Sequence, residues 1–92
     1  MEISDIIHRD PGILHSTIDD EIVLFSGDTN SYFNLNRTGS IIWELIENPI
    51  SVQELINQLA TRFQIAPSEI TNDVMEYIIP LEKKGIIKKS VS

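Results

Sequence analysis

The sequence predicts an α+β domain in which three strands precede three helices. Between residues 13 and 35, apolar residues alternate or form short runs that turn-forming residues separate, as in antiparallel hairpins. After residue 35 the spacing of the apolar residues lengthens to about 3.6, the period of helices with one buried face. Strands grouped ahead of helices are typical of α+β architecture.

Length and composition limit the number of domains and the classes of function. The chain has 92 residues, of which 41% are apolar and 23% charged, a balance typical of globular proteins. We therefore expect a single domain spanning residues 1–92. A domain this small buries only about 60% of the surface of its unfolded chain, which disfavours a deep, water-excluded active site. Because the chain has no cysteine, disulfides and thiolate nucleophiles are excluded.

The strands are predicted over residues 13–18, 21–25 and 31–35. A tight turn at Asp19-Asp20 joins the first two strands. Residues 26–30 are a second turn, because they include glycine, aspartate and asparagine, which favour turn conformations. The first half of the chain is therefore predicted to be a three-stranded antiparallel sheet.

The third predicted strand has two distinct faces and an edge open to pairing. Successive side chains of a strand alternate, so Phe33 and Leu35 are expected to face the core while Tyr32 and Asn34 point away. The strand contains no proline, lysine or glutamate, residues that commonly block pairing at a sheet edge. It is either a short edge that a helix covers or a template for an added peptide strand.

The first two helices are predicted over residues 38–47 and 52–63. Asn48-Pro49 ends the first, since the residue before a proline disfavours helical geometry. Ser51 and Glu54 fit a capping box at the start of the second, in which the serine accepts from a backbone amide and the glutamate bonds back.

The third helix is predicted over residues 67–84 and ends at Gly85, a favoured C-terminal cap. Pro80 inside it should kink the helix or remove one hydrogen bond. Residues 86–89 indicate a short strand or wing followed by a frayed tail. With helix-turn-helix spacing in the second half, these elements predict a winged helix-turn-helix architecture.

No catalytic, metal or cofactor site is predicted. His8 and His15 lack partners at helical spacing that would place two metal ligands on one face. The acidic run at residues 19–21 lacks the alternating oxygen ligands of a calcium loop and fits a solvated turn. The glycines are isolated, so no phosphate-binding loop is present. We expect a non-catalytic chain without cofactors or metal.

The charge disfavours nucleic acids and membranes as partners. Seven basic and 14 acidic residues give a net charge of −7, which repels phosphate backbones and anionic lipids. The N-terminal segment has no basic region followed by a long apolar run, the pattern of a signal peptide or membrane span. We expect a cytoplasmic protein.

Several motifs together resemble those of a known family. The pattern of aromatic-x-Leu-Asn followed by Ile-Trp-x-Leu is similar to that of the family of pyrroloquinoline quinone biosynthesis protein D. Members are also known as recognition elements of pathways that make RiPPs, the ribosomally synthesised and post-translationally modified peptides. The resemblance covers about residues 10–88 and is carried by Tyr32-Phe33-Asn34-Leu35-Asn36, Gly39, Ile42-Trp43-Glu44-Leu45, Ser51-Val52, Glu54-Leu55, Leu59, Phe63, Asp73-Val74, Leu81 and Gly85-Ile86.

The resemblance implies a binding site for the leader peptide of a precursor. The leader is expected to lie as an added antiparallel strand along the third strand, in a cleft between that strand and the third helix. The implied peptide-binding residues are Ser31, Tyr32, Phe33, Asn34 and Leu35 on the strand and Asp73, Val74, Glu76, Tyr77 and Ile78 on the helix. The pattern does not distinguish helix residues that face the cleft from those that face the core.

The resemblance also implies the partners. A separate chain of this size is similar to the recognition elements of lasso peptide pathways, where the partners are a leader peptidase and an ATP-dependent macrolactam synthetase. The alternative is the quinone pathway, where the partner is a radical S-adenosylmethionine enzyme.

Two other classes of function remain open from the residues. One is a winged-helix regulator that binds nucleic acid, which the acidic charge disfavours. The other is an interaction subunit that uses Met75 and Ile79, two apolar residues lying away from the centre of the apolar stripe of the third helix.

Overall fold

The computed structural model describes residues 1–28 and 30–90. The elements in chain order are β1 (Ile6–Arg9), β2 (Ile13–Ile18), β3 (Glu21–Ser26), β4 (Ser31–Leu35), α1 (Arg37–Leu45), β5 (Ile50–Ser51), α2 (Val52–Phe63), α3 (Pro67–Lys83) and β6 (Ile87–Lys89). The predicted sheet of three strands and the three predicted helices are confirmed. Thr29 in the second turn and the last two residues of the predicted tail lie outside the described residues.

Strands β2, β3 and β4 form an antiparallel sheet in that order. The two-residue turn between β2 and β3 is built by Asp19 and Asp20, whose φ angles are 50° and 68°. Positive φ at both central positions matches the right-handed twist of a hairpin and is tolerated by aspartate better than by most residues. This turn sets the register of the sheet, because it pairs Ile18 directly with Glu21.

The inner face of this sheet contributes to the core. Ile22 and Leu24 of β3 are buried, and they pair with Leu35 and Phe33 of β4. Side chains of directly paired residues lie on the same face, so Leu35 and Phe33 also point inward. Leu35 is 3% exposed, whereas Phe33 is half-buried and packs at the margin of the core. The predicted orientation of the third strand is therefore correct.

A second sheet, in the order β5-β1-β6, was missing from the prediction. Strand β1 pairs with residues near position 50 and with residues 87–89. A strand whose partners are so distant in sequence has no adjacent turn to reveal it. The prediction of a short strand or wing at residues 86–89 is borne out by β6, and Ile7 and Ile87 from this sheet join the core.

Helix α1 begins at the end of β4 and closes the core over the first sheet. Asn36 is its N-cap, and the Asn36 side chain accepts a hydrogen bond from the Gly39 amide at 2.8 Å. The helix ends at Leu45, two residues earlier than predicted. Its buried residues pack with those of β3, α2 and α3 in one cluster that includes Trp43 and Leu59.

The ends of α2 and α3 follow the local signals in the sequence. Ser51 accepts from the Glu54 amide at 3.0 Å, but the Glu54 carboxylate accepts from the Gln58 side chain, so only the serine half of the capping box forms. Helix α3 continues through Pro80 to Lys83. Gly85, with φ of 77°, follows the C-cap Lys84 and terminates the helix, and the amides of residues 85 and 86 bond to the carbonyls of residues 82 and 81, a Schellman motif.

Candidate functional site

Strand β4 is an edge of its sheet, and its register shows which backbone groups face outward. In a two-residue hairpin the pair next to the turn, here Ile18 and Glu21, exchanges both hydrogen bonds, and bonded pairs alternate from there. On β3 the even-numbered residues therefore bond to β4, through its residues 31, 33 and 35. The N–H and C=O groups of Tyr32 and Asn34 consequently point to the open edge.

A hollow of about 270 Å³ lies beyond the end of β4 and is lined by Asn36 and by residues of α1, α2 and α3. Its walls are mainly apolar side chains, and polar groups lie at its rim. The lining residues are Asn36, Thr38, Ile42, Phe63, Ile70, Asp73, Val74 and Tyr77. No residue of β4 lines the hollow, so an extended peptide on the open edge would reach it beyond Leu35, near Asn36. Such a peptide would bond to the edge through its backbone and place a side chain in the hollow.

Two contacts connect β4 and its continuation to α3. The Tyr77 hydroxyl donates to the Asn36 side-chain oxygen at 3.3 Å. Just beyond the last residue of α3, the Lys84 ammonium lies 5.1 Å from the centre of the Phe33 ring, within the range of a cation–π interaction. These contacts hold the helix at the inner side of the open edge.

The Tyr77 side chain is half-buried between α3 and the start of α1. Burial disfavours the phenolate and raises the pKa of the Tyr77 hydroxyl above its ordinary value. The hydroxyl donates to the Asn36 side-chain oxygen, which also accepts from the Gly39 amide. The result is a short polar network at the mouth of an otherwise apolar hollow.

The structure brings the five predicted strand residues together along the open edge, with different exposures. Tyr32 is 71% exposed and Asn34 is also exposed, on the outer face of the sheet. Phe33 is half-buried on the inner face, and Ser31 is half-buried at the start of the strand. Leu35 belongs to the core.

The five predicted residues of α3 divide between the hollow, the core and solvent. Tyr77 and Val74 line the hollow, although Val74 is almost completely buried. Asp73 lies exposed at the rim of the hollow, and Glu76 is exposed but does not line it. Ile78 is fully buried, so its side chain is part of the core.

Sequence reasoning missed several residues around the hollow. Phe63 and Ile70 recur at helical spacing with other apolar residues, and this spacing does not reveal that a residue at the end of α2 or the start of α3 borders a hollow. Asn36 had a usable signal, since it directly precedes the helical period and is a favoured N-cap. Lys84 had none, because its approach to Phe33 depends on how α3 packs against β4.

The family model of coenzyme PQQ synthesis protein D (PqqD) matches residues 21–87. The chain belongs to the PqqD family. The match runs from β3 into β6 and includes β4, α3 and every residue of the hollow. No curated protein sequence matches the chain.

Solved structures with this fold include recognition elements of peptide-modifying pathways. TbiB1 in complex with the TbiA(beta) leader peptide has a TM-score of 0.81 and 24% identity over 92% of this chain and 99% of that chain. The PqqD truncation of Methylobacterium extorquens PqqCD, a stand-alone RiPP recognition element, has a TM-score of 0.77 and 17% identity over 95% and 93% of the two chains. Lasso peptide synthetase B1 complexed with the leader peptide has a TM-score of 0.76 and 20% identity over 89% and 96%.

Membership of the PqqD family identifies the chain as a non-catalytic recognition element. Among the described residues, no three His, Cys, Asp or Glu side chains are grouped to hold a metal ion. Within residues 1–28 and 30–90, no helix has both the length and the apolar character needed to cross a bilayer.

Proposed function

We propose that the chain binds the leader peptide of a ribosomally synthesised precursor by strand addition to β4 and presents the precursor to modifying enzymes in the cytoplasm. The observation that carries the proposal is the open edge at Tyr32 and Asn34, together with the apolar hollow that begins at Asn36 beyond the end of that strand. The PqqD family match and the leader peptides bound to two structures of the same fold support it.

The added strand would gain affinity from its backbone. An antiparallel leader strand exchanges hydrogen bonds with the N–H and C=O groups of Tyr32 and Asn34, extending the sheet by one strand. The inner side of that strand lies next to Phe33 and under α3. In this arrangement Ser31 and Leu35 maintain the strand, since Ser31 starts it and Leu35 anchors it in the core.

The hollow would supply selectivity. A leader side chain entering it contacts Val74 and Tyr77, while Ile78 supports the helix from the core. Asp73 at the rim and Glu76 one turn along would attract basic leader residues. Such exposed ion pairs contribute about 0.2–1 kcal/mol, so apolar contacts are expected to dominate the affinity.

The proposed recipients of the precursor are the leader peptidase and the macrolactam synthetase of a lasso pathway. The similarity in fold to lasso peptide synthetase B1 supports this choice. The alternative, delivery to a radical S-adenosylmethionine enzyme, is favoured by the PqqD family match. Reconstitution of each reaction with and without this chain distinguishes them, because only the correct enzyme gains turnover when the chain is added.

Amide NMR titration of the labelled chain with the leader encoded beside its gene tests binding and location together. Strand addition predicts saturable shifts concentrated in residues 31–35 and 70–81. No shifts at near-millimolar leader would overturn the proposal, and the same sample would then be tested with duplex DNA.

A proline substitution tests whether the leader binds through backbone hydrogen bonds to the open edge of β4 or only through side-chain contacts. Asn34→Pro removes an amide that faces the open edge and spares the bonds to β3, so the sheet should form while leader affinity falls about tenfold or more. Thr17→Pro is the matched control, because the Thr17 amide faces the other open edge of the same sheet. Equal affinities of the two folded variants would contradict strand addition at β4.

A further inference from the structure

The outer face of the sheet has an apolar row that ends at the open edge. Leu14, Phe25 and Tyr32 are direct cross-strand neighbours on β2, β3 and β4. The rings of Phe25 and Tyr32 lie with centres 4.8 Å apart. Leu14 is 64% exposed and Tyr32 is 71% exposed, so the row is uncovered by any described residue of the chain.

The neighbouring row on the same face has a different character. Ser16, Val23 and Asn34 are direct cross-strand neighbours, so this row begins and ends with polar side chains. At the open edge, the outer face therefore presents the aromatic ring of Tyr32 and, two residues further along β4, the side-chain amide of Asn34.

An added strand would continue both rows. In an antiparallel leader, three consecutive residues in N-to-C order lie opposite Asn34, Phe33 and Tyr32. The first and third point to the outer face, and the second points inward beside Phe33. Directly opposite side chains have Cβ atoms about 4.5–5.5 Å apart, close enough for Tyr32 and Asn34 to select their partners.

We infer that Tyr32 and Asn34 form a second specificity site, on the outer face of the sheet. This inference rests on the proposed function. The leader class that fits has a polar residue opposite Asn34, then an apolar residue opposite Phe33, then a large apolar or aromatic residue opposite Tyr32. The third residue extends the row of Leu14, Phe25 and Tyr32, and burial of its apolar surface favours binding.

Charge favours a leader side chain over a second copy of the chain as the occupant of this face. The described residues of the outer face include Glu21 but no lysine or arginine, and Asp19 and Asp20 lie at the adjoining turn. Packing two copies through this face would bring these acids together in two chains of net charge −7. A leader strand meets no such repulsion, since it enters from the β4 edge.

Selection from a display library of short random peptides tests the inference independently of any one leader sequence. The unmodified chain should enrich the polar, apolar, aromatic triplet. Tyr32→Ala should lose the preference at the third position only and bind the selected peptides roughly two- to tenfold more weakly. Asn34→Val should change the preference at the first position from polar to apolar. Leu14→Ala, at the far end of the same row, should leave both preferences unchanged.

The outcomes distinguish this inference from the proposed function. Enrichment of edge-binding peptides with no preference at the outward positions, or preferences that survive Tyr32→Ala and Asn34→Val, would overturn the second site and leave strand addition intact. No enriched peptide would overturn both. Dimerisation of the unmodified chain that Tyr32→Ala abolishes would assign the outer face to a second copy and overturn the inference.

Discussion

The Tyr77 hydroxyl occupies the space that a side chain at position 39 would require. A Cβ atom built on Gly39 would lie 1.8 Å from the hydroxyl oxygen of Tyr77 and 2.6 Å from the ring carbon that carries it. Only glycine therefore lets α3 approach the first turn of α1 this closely. The same approach puts the hydroxyl against Asn36 and shapes the hollow at the end of β4.

Gly39→Ala should displace the Tyr77 ring and destabilise the protein by roughly 1–2 kcal/mol through overpacking. In a Tyr77→Ala background the same change should stabilise the protein by about 1 kcal/mol, because alanine is the better helix former. Urea unfolding of the four proteins in this cycle measures the coupling. Additive effects of the two substitutions would contradict the steric contact.

Arg9→Lys should destabilise the protein by about 1–2 kcal/mol although the charge is kept. The Arg9 guanidinium lies 4.4 Å from the centre of the Trp43 ring and donates through Nε to the Trp43 carbonyl at 3.0 Å, while Nη2 donates to the same oxygen. Lysine can neither stack as a plane nor donate in this fork. Arg37→Lys, at an exposed position, is the control and should be nearly neutral in the same denaturation assay.

Asp10 should make the free energy of unfolding depend on pH in the acidic range. Its carboxylate accepts from the Gly12 amide at 2.9 Å and lies 3.5 Å from the Lys88 ammonium. The amide hydrogen bond, with a smaller contribution from Lys88, holds the pKa of Asp10 below its ordinary value. The contribution is therefore complete above the unfolded aspartate pKa of about 3.9 and is lost as pH falls through the lower folded pKa.

The measurement is the difference in unfolding free energy between the unmodified chain and Asp10→Asn as a function of pH. Because Asp10 is half-buried but its partner Lys88 is largely exposed to solvent, we expect a difference below about 1 kcal/mol at neutral pH, shrinking in acid. A difference that grows as pH falls would show that the carboxylate is not stabilised by these partners.

Phe63→Ala should weaken leader binding several-fold with little effect on the fold, since Phe63 lines the hollow and is 37% exposed. Ile65→Ala is a close control, because Ile65 is 38% exposed but does not line the hollow. Isothermal titration of both variants with the leader compares them. A larger loss for Ile65→Ala would place the peptide elsewhere.

Much of the fold could be predicted because its signals are local. The turn at Asp19-Asp20, the cap at Ser51 and the termination at Gly85 each depend on residues within a few positions of one another. Strand β1 could not be predicted, since its pairing with residues 50–51 and 87–89 depends on chain segments distant in sequence. The early end of α1 at Leu45 likewise departs from the apolar period.

The candidate site, like the fold, could be predicted only where the signal was local. Alternation along β4 was sufficient to orient Phe33 inward and Tyr32 outward, and the motifs were sufficient to indicate the family, which the match over residues 21–87 confirms. The roles of individual α3 residues could not be predicted, because the apolar stripe of a helix does not show whether Val74 borders a hollow or whether Ile78 lies wholly in the core.

By itself, the sequence determined the α+β class, most element boundaries and the acidic charge, and it left open whether a helix covers the edge of the third predicted strand. These properties follow from composition and from periodicities of a few residues. Only the tertiary structure decided that Tyr77 packs on Gly39, that Lys84 lies over Phe33 and that a hollow opens beyond the end of β4. Each of these depends on the distance between elements, which the packing of the whole core sets and no single segment encodes.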